Sequence, residues 1–135
     1  MSRLIEFEAK TVATKEWIHG NLIYGNGAYN HFEVQFYESV YIEQKDDEGR
    51  LIKHLVIPET IGQFTNVIGT NGKRIYDHNI VSNGIVTGEV YWDYCYNGWK
   101  VAVENEKNIL CGIDLDNTFR VIGRQYDFLI KGDLH

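Results

Sequence analysis

Four Asn-Gly pairs divide this chain, at Asn26-Gly27, Asn71-Gly72, Asn83-Gly84 and Asn97-Gly98. The pair favours type I′ turns, whose two central residues both take positive φ, and such turns join antiparallel strands. The segments between the turns are short and many alternate in polarity. In "LIEFEAKTV", Ile5, Phe7 and Ala9 fall on one side while Glu6, Glu8 and Lys10 fall on the other. That is the period of a half-buried strand. It predicts Ile5 and Phe7 in a core and the glutamates in water.

The rest of the chain reads the same way. "KEWIHGNLIY" predicts a strand, a turn at Gly20-Asn21 and a second strand. "HFEVQFYESVYIEQ" predicts a strand that turns near Asp46 to Gly49 into "RLIKHLVI". "RIYDHNIV" reads as one short strand. "GEVYWDYCY" places Val90, Trp92, Tyr94 and Tyr96 on one face, and "WKVAVE" places Trp99, Val101 and Val103 together. "NILCGIDL" and "FRVIGRQYDF" complete about five strands near the C-terminus, a density that suggests a sandwich or small barrel. "NEKN" from Asn105 is the best helix candidate. Expected core residues are Ile75, Ile80, Val90, Trp92, Val101, Val103 and Val121, with Ile5, Phe7 and Trp17 in the N-terminal half.

At 135 residues and 44 % apolar content the chain is large enough for a real core. Its net charge of -6 disfavours tight non-specific binding to nucleic acid, which needs many cationic contacts. Cys95 and Cys111 are the only cysteines, which fits two buried, reduced thiols in a cytoplasm. The first ten residues show no apolar signal-peptide core, and no apolar run is long enough to span a membrane. A cytoplasmic protein without a membrane partner is expected.

Chemistry-bearing clusters are sparse. His19, His31, His54, His78 and His135 fall at no metal-ligand spacing, and the cysteines form no CxxC. No metal or cofactor is expected. "DLDN" from Asp114 starts like a calcium loop but puts Phe119 where glycine is needed and Gln125 where glutamate is needed. "GTNG" lacks the Lys-Ser or Lys-Thr of a P-loop. Glu59 beside Tyr76 and His78 is the nearest approach to an acid/base group, and no nucleophile accompanies it. No catalytic residue is expected. Trp92, Tyr94, Tyr96 and Trp99 flank one hairpin and Tyr91 lies on the face opposite Trp92, so a small barrel cannot bury them all and some face solvent unless both faces are covered.

Turn chemistry is concentrated in "PETIGQFTNVIGTNGKRIYDHNIV", Pro58 to Val81, which holds the only proline and three of the thirteen glycines. Proline presets φ, its glycines permit positive φ, and Thr60 and Thr65 can bond local backbone. The simplest reading is a structural joint. The stretch also resembles the signature of the YopX family of phage and prophage proteins. Pro58, Glu59, Thr60, Gly62, Gln63, Thr65, Asn71, Gly72, Lys73, Ile75, Tyr76, Ile80 and Val81 match it directly. "EFEAKTVATKEWIHGNLIY", "GEVYWD" and "RVIGRQYD" resemble the family's opening, middle and close. The chain departs from the family pattern at Glu8, where the family carries Arg, at Gly69 or Thr70, where it carries Asp, and at Asp77-His78-Asn79, where it carries Glu-Gly-Asp.

The resemblance implies a bacterial host cytoplasm and an SH3-like small barrel in the C-terminal part, which agrees with the strand count. The expected architecture is mainly β: antiparallel hairpins over residues 1–57 and a five-stranded barrel over 58–135, sharing one core. The expected function is that of a phage or prophage accessory protein: a non-enzymatic β-barrel module that binds a protein partner. A nucleic-acid-associated module and a virion assembly protein are the alternatives, with a small-molecule enzyme behind them. The homo-oligomeric state is left open. The expected binding surface comprises Glu59, Gln63, Phe64, Lys73, Tyr76, Tyr91 and Tyr94.

Overall fold

The structure, a computed structural model, describes residues 5–25, 39–104, 107 and 109–132. It is mainly antiparallel β, as the alternation implies, with one single-turn 3-10 helix and one α-helix. The chain forms two compact units that divide between Gln63 and Phe64. The seam expected at Pro58 therefore lies inside the first unit.

In the N-terminal unit, β1 (Phe7–Lys10), β2 (Trp17–Gly25), β3 (Ser39–Lys45) and β4 (Leu51–Leu55) lie in the order β4-β3-β2-β1. β2 is continuous, so Gly20-Asn21 is no turn. It is where the pairing of β2 passes from β1 to β3. The β3–β4 turn is as expected: Gly49 sits at φ +80 and its N–H donates to the Asp46 carbonyl at 3.0 Å. The Asp46 carboxylate accepts the backbone N–H groups of Glu48 and Arg50 at 2.9 and 2.8 Å. Chain just past β1 also meets chain just past β4. Val12 N donates to Leu55 O at 3.0 Å, Ile57 N donates to Lys10 O at 2.9 Å, and Thr11 bridges Val56. β1 pairs on its other side with the first residues of β5 (Gly62–Ile68), Phe7 with Gln63 and Glu8 with Gly62.

Ala9, Val40, Ile42 and Val56 form this unit's core, with Phe7, Ile18, Leu22 and Ile61 packed on it. The alternation at the N-terminus is misleading. Ile5 is 66 % exposed, while Glu6 and Glu8 are buried. Ile5 precedes β1. Both faces of β1 are covered, and the Glu6 carboxylate is met by His19 Nδ1 at 2.5 Å. Trp17 is half-buried, with the Lys10 ammonium 5.9 Å from its ring centroid.

In the C-terminal unit the rest of β5 pairs with β6 (Arg74–Tyr76). β7 (Asn79–Ser82), β8 (Thr87–Asp93), β9 (Gly98–Glu104), β10 (Leu110–Asp114) and β11 (Arg120–Arg124) form a five-stranded sheet in the order β10-β9-β8-β7-β11. Among the described residues no pairing joins β10 to β11, so this sheet is open where a closed barrel was expected. Ile75, Val81, Val90, Val101, Val103 and Phe119 form the core. Trp92, Val121 and Ile80 are only half-buried. "RIYDHNIV" is two strands, and the turn at Asp77-His78 between them resets the register so that Val81 rather than Ile80 faces inward.

The last strand stops at Arg124, and α1 (Gln125–Gly132) follows where "FRVIGRQYDF" predicted continuous strand. Its first residue is tied down by Gln125 N donating to His78 O at 3.0 Å. No helix among the described residues is long and apolar enough to cross a membrane. The "NEKN" helix candidate lies largely outside the described residues, as does Asn26-Gly27. None of the other three Asn-Gly pairs is type I′. Gly72 and Gly84 have positive φ without their asparagines, and Asn97 has it without Gly98. These loops are longer than two residues, so one left-handed residue suffices in each. Cys95 and Cys111 are free and exposed, not buried.

Candidate functional site

Several polar side chains of Pro58–Val81, those of Thr60, Thr65, Asn71 and Asn79, bond to backbone. Pro58–Thr60 forms the 3-10 turn with proline at its start. The Thr60 hydroxyl donates to Ile57 O at 2.6 Å and accepts the Lys10 N–H at 2.8 Å. The Thr65 hydroxyl donates to Ile75 O at 2.7 Å and accepts the Val67 N–H at 3.1 Å, bridging the irregularity between β5 and β6. Gly72 sits at φ +78, a conformation that penalises any side chain. At Gly69 a Cβ would stand 2.6 Å from the Phe119 carbonyl, which already accepts the Thr70 N–H at 3.0 Å. The stretch shapes the backbone where β5 passes from one unit to the other.

The expected binding residues do not form one exposed patch. Phe64 and Tyr76 are each 4 % exposed. Their rings lie 5.4 Å apart, and Arg74 covers Phe64 at 5.3 Å. They are interior residues, drawn inward because β5 and β6 pair them directly, Phe64 with Tyr76. Glu59 and Lys73 are exposed and Gln63 is half-buried. Tyr91 is half-buried, with its hydroxyl filling the space a side chain at Gly112 would need.

Tyr94 is the remaining member, and it stands at a site the sequence only partly disclosed. β8 ends at Asp93 and β9 begins at Gly98, so Tyr94, Cys95, Tyr96 and Asn97 form a four-residue loop rather than a strand. Tyr94 is 85 % exposed and Tyr96 75 %. The loop is held from within. Asp93 Oδ1 accepts the N–H groups of Cys95 at 2.8 Å and Tyr96 at 3.3 Å. Lys100 Nζ lies 4.5 Å from the Tyr96 ring centroid and 2.7 Å from Asp114 Oδ1. The Asp114 carboxylate bonded to it holds the Lys100 pKa above its ordinary value. Two exposed aromatics on an ordered loop suit recognition of a macromolecular surface, since little side-chain freedom is lost on binding.

A second cluster lies at the turn between β6 and β7. His78 occupies a left-handed conformation at φ +69. Its Nδ1 lies 3.0 Å from Glu89 Oε2 and its Nε2 lies 3.3 Å from Asp77 Oδ2. The Glu89 hydrogen bond raises the His78 pKa, and burial raises that of Asp77. Asp77 Oδ1 is buried without a hydrogen-bond partner. Of the Glu59–Tyr76–His78 grouping, His78 is engaged by Asp77 and Glu89, Tyr76 is buried, and Glu59 lies in the other unit. Among the described residues no three His, Cys, Asp or Glu side chains are arranged to hold a metal ion.

These observations define a mainly β, antiparallel protein whose most exposed aromatics among the described residues sit on one hairpin loop. Over residues 6–128 the sequence matches the family described as YopX protein. The chain belongs to the YopX family. No curated protein matches it.

Proposed function

We propose that this chain is a non-enzymatic β module of phage or prophage origin that binds a protein partner in the bacterial cytoplasm. The observation that carries the reading is the pair of exposed tyrosines, Tyr94 and Tyr96, on the ordered loop between β8 and β9. The net charge of -6 favours a protein surface over a phosphate backbone. The Asp77–His78–Glu89 cluster presents no nucleophile, which supports binding rather than catalysis.

Small-barrel character enters the reading at a different place from that expected. The order β4-β3-β2-β1-β5, the 3-10 turn before β5 and the bonds linking the ends of β1 and β4 support an SH3-like barrel in the N-terminal unit. That is analogy of architecture and carries no partner with it.

The test is affinity capture from a bacterial host lysate with the parent and with Tyr94→Ser/Tyr96→Ser. A host protein retained by the parent at both low and high salt, and lost by the variant, is expected. Retention of DNA alone, abolished by salt, would establish the nucleic-acid alternative instead. A parent that sediments as a large assembly would favour a virion component.

A further inference from the structure

We infer that the free edge of β4 accepts an extended acidic–apolar strand of another protein, adding it antiparallel to the N-terminal sheet. This rests on the reading of the chain as a protein-binding module and assigns it a second site, in the other unit.

Asp46 N donates to Arg50 O, and Val56 N donates to Val40 O at 3.0 Å, so Arg50 and Val56 face β3. Antiparallel ladders alternate, so Ile52 and His54 face β3 as well, and Leu51, Lys53 and Leu55 turn their N–H and C=O groups outward. Among the described residues only one of those outward groups is taken, the Leu55 carbonyl, by Val12 N. The rest of the edge is a ready ladder for one more strand.

The side chains fit the same occupant. Leu51, Ile52 and Leu55 are 61, 39 and 43 % exposed, an unusual run of apolar residues for an unpartnered edge. A cleft of about 270 Å³ between the Thr11–Thr14 turn and Lys53–Leu55 lies at the end of the edge. Leu51, Lys53 and Leu55 share one face. Lys53 is exposed, and although Glu43 pairs with it in register on β3, no ion pair joins them. An added strand with the pattern apolar–x–acidic–x–apolar would set its carboxylate against Lys53 and its apolar residues against Leu55 and Leu51. A second copy fits poorly. Pairing β4 with itself over its full length sets Lys53 against Lys53, and directly opposed like charges destabilise.

The probe is a fluorophore-labelled peptide, Thr-Val-Thr-Glu-Thr-Val-Thr, titrated by polarisation up to about 1 mM against the full chain. Binding is expected, and replacing the central Glu by Lys should weaken it about fivefold. Lys53→Glu should reverse that preference. Lys53→Pro should abolish binding of both peptides while leaving the melting temperature close to the parent's, because it removes only an outward N–H. Should Lys53→Pro fail to fold, Lys53→Glu decides alone. Tyr94→Ser/Tyr96→Ser should bind the peptide like the parent. No binding, binding indifferent to the sign of the central residue, or a dimer that Lys53→Pro disperses would overturn the inference. Peptide failure with partner capture intact would leave the loop reading standing.

Discussion

Trp92 and Trp99 stand directly opposite each other on β8 and β9, edge to face, with ring centroids 5.1 Å apart and planes at 74°. One residue pair further on, Asp93 opposite Gly98, the strands give way to the tyrosine loop. The tryptophan pair is thus the base on which the exposed aromatics stand, and Trp99 also packs against the core of the C-terminal unit. Trp99→Ala should cost about 2–4 kcal/mol, since it removes both the ring pair and that packing. Urea denaturation measures it. A loss under about 1 kcal/mol would mean the hairpin is held elsewhere.

The joint makes a contrasting pair of predictions. Gly72→Val forces a β-branched side chain into φ +78 and should destabilise by about 1–3 kcal/mol. Glu59→Gln alters only an exposed carboxylate and should stay within about 1 kcal/mol of the parent. Thermal melts of the two variants compare them. A Gly72→Val protein as stable as the parent would remove the case for a backbone role.

Thr65 makes a sharper test of the same stretch. It is buried, and its hydroxyl serves the Ile75 carbonyl and the Val67 amide together. Thr65→Val keeps the shape and leaves both groups without that partner, at a cost of about 1–3 kcal/mol. Thr65→Ser should recover most of the loss, because it restores the hydroxyl. If serine fares no better than valine, the methyl rather than the hydrogen bonds matters.

The cluster at His78 predicts a pH dependence whose sign follows from the two shifts. Asp77 and His78 both hold a proton more tightly folded than unfolded, Asp77 through burial and His78 through its bond to Glu89. Each adds stability that is full below its ordinary value, 3.8 and 6.5 respectively, and is lost as pH rises through the folded value. The melting temperature should therefore fall between about pH 6 and 8. His78→Gln should flatten that fall, and Glu89→Gln should reduce it. A parent whose melting temperature rises over the same interval would contradict the assignment.

Much of the fold is legible in the residues, and the misses have physical causes. Alternation finds most of the strands and the buried Val90, Val101 and Val103, and the acidic turn at Asp46–Gly49 forms as its residues require. Alternation fails at Ile5, Glu6 and Glu8 because it assumes one wet face, and both faces of β1 are covered. Phe119 is not expected in the core because it sits at the start of its predicted strand, just after a polar turn, yet among the described residues it is the largest fully buried side chain. α1 is hidden in a segment whose first half is strand. The turn at His78 is invisible because histidine does not advertise a left-handed backbone. The family signature carries glycine there, which is what φ +69 would ask for. At the candidate site, Tyr94 faces solvent. Phe64 and Tyr76 are not surface residues, because sequence spacing does not show that they pair across two strands.

One measurement distinguishes a structural signature from a binding loop directly. A host protein captured by the parent would be purified and titrated calorimetrically against three chains: the parent, Glu59→Gln/Lys73→Gln, and Tyr94→Ser/Tyr96→Ser. The signature variant should bind like the parent. The loop variant should lose at least about tenfold in affinity, the effect of removing two aromatic anchors, with its melting temperature unchanged. A signature variant that loses binding while the loop variant keeps it would contradict the account.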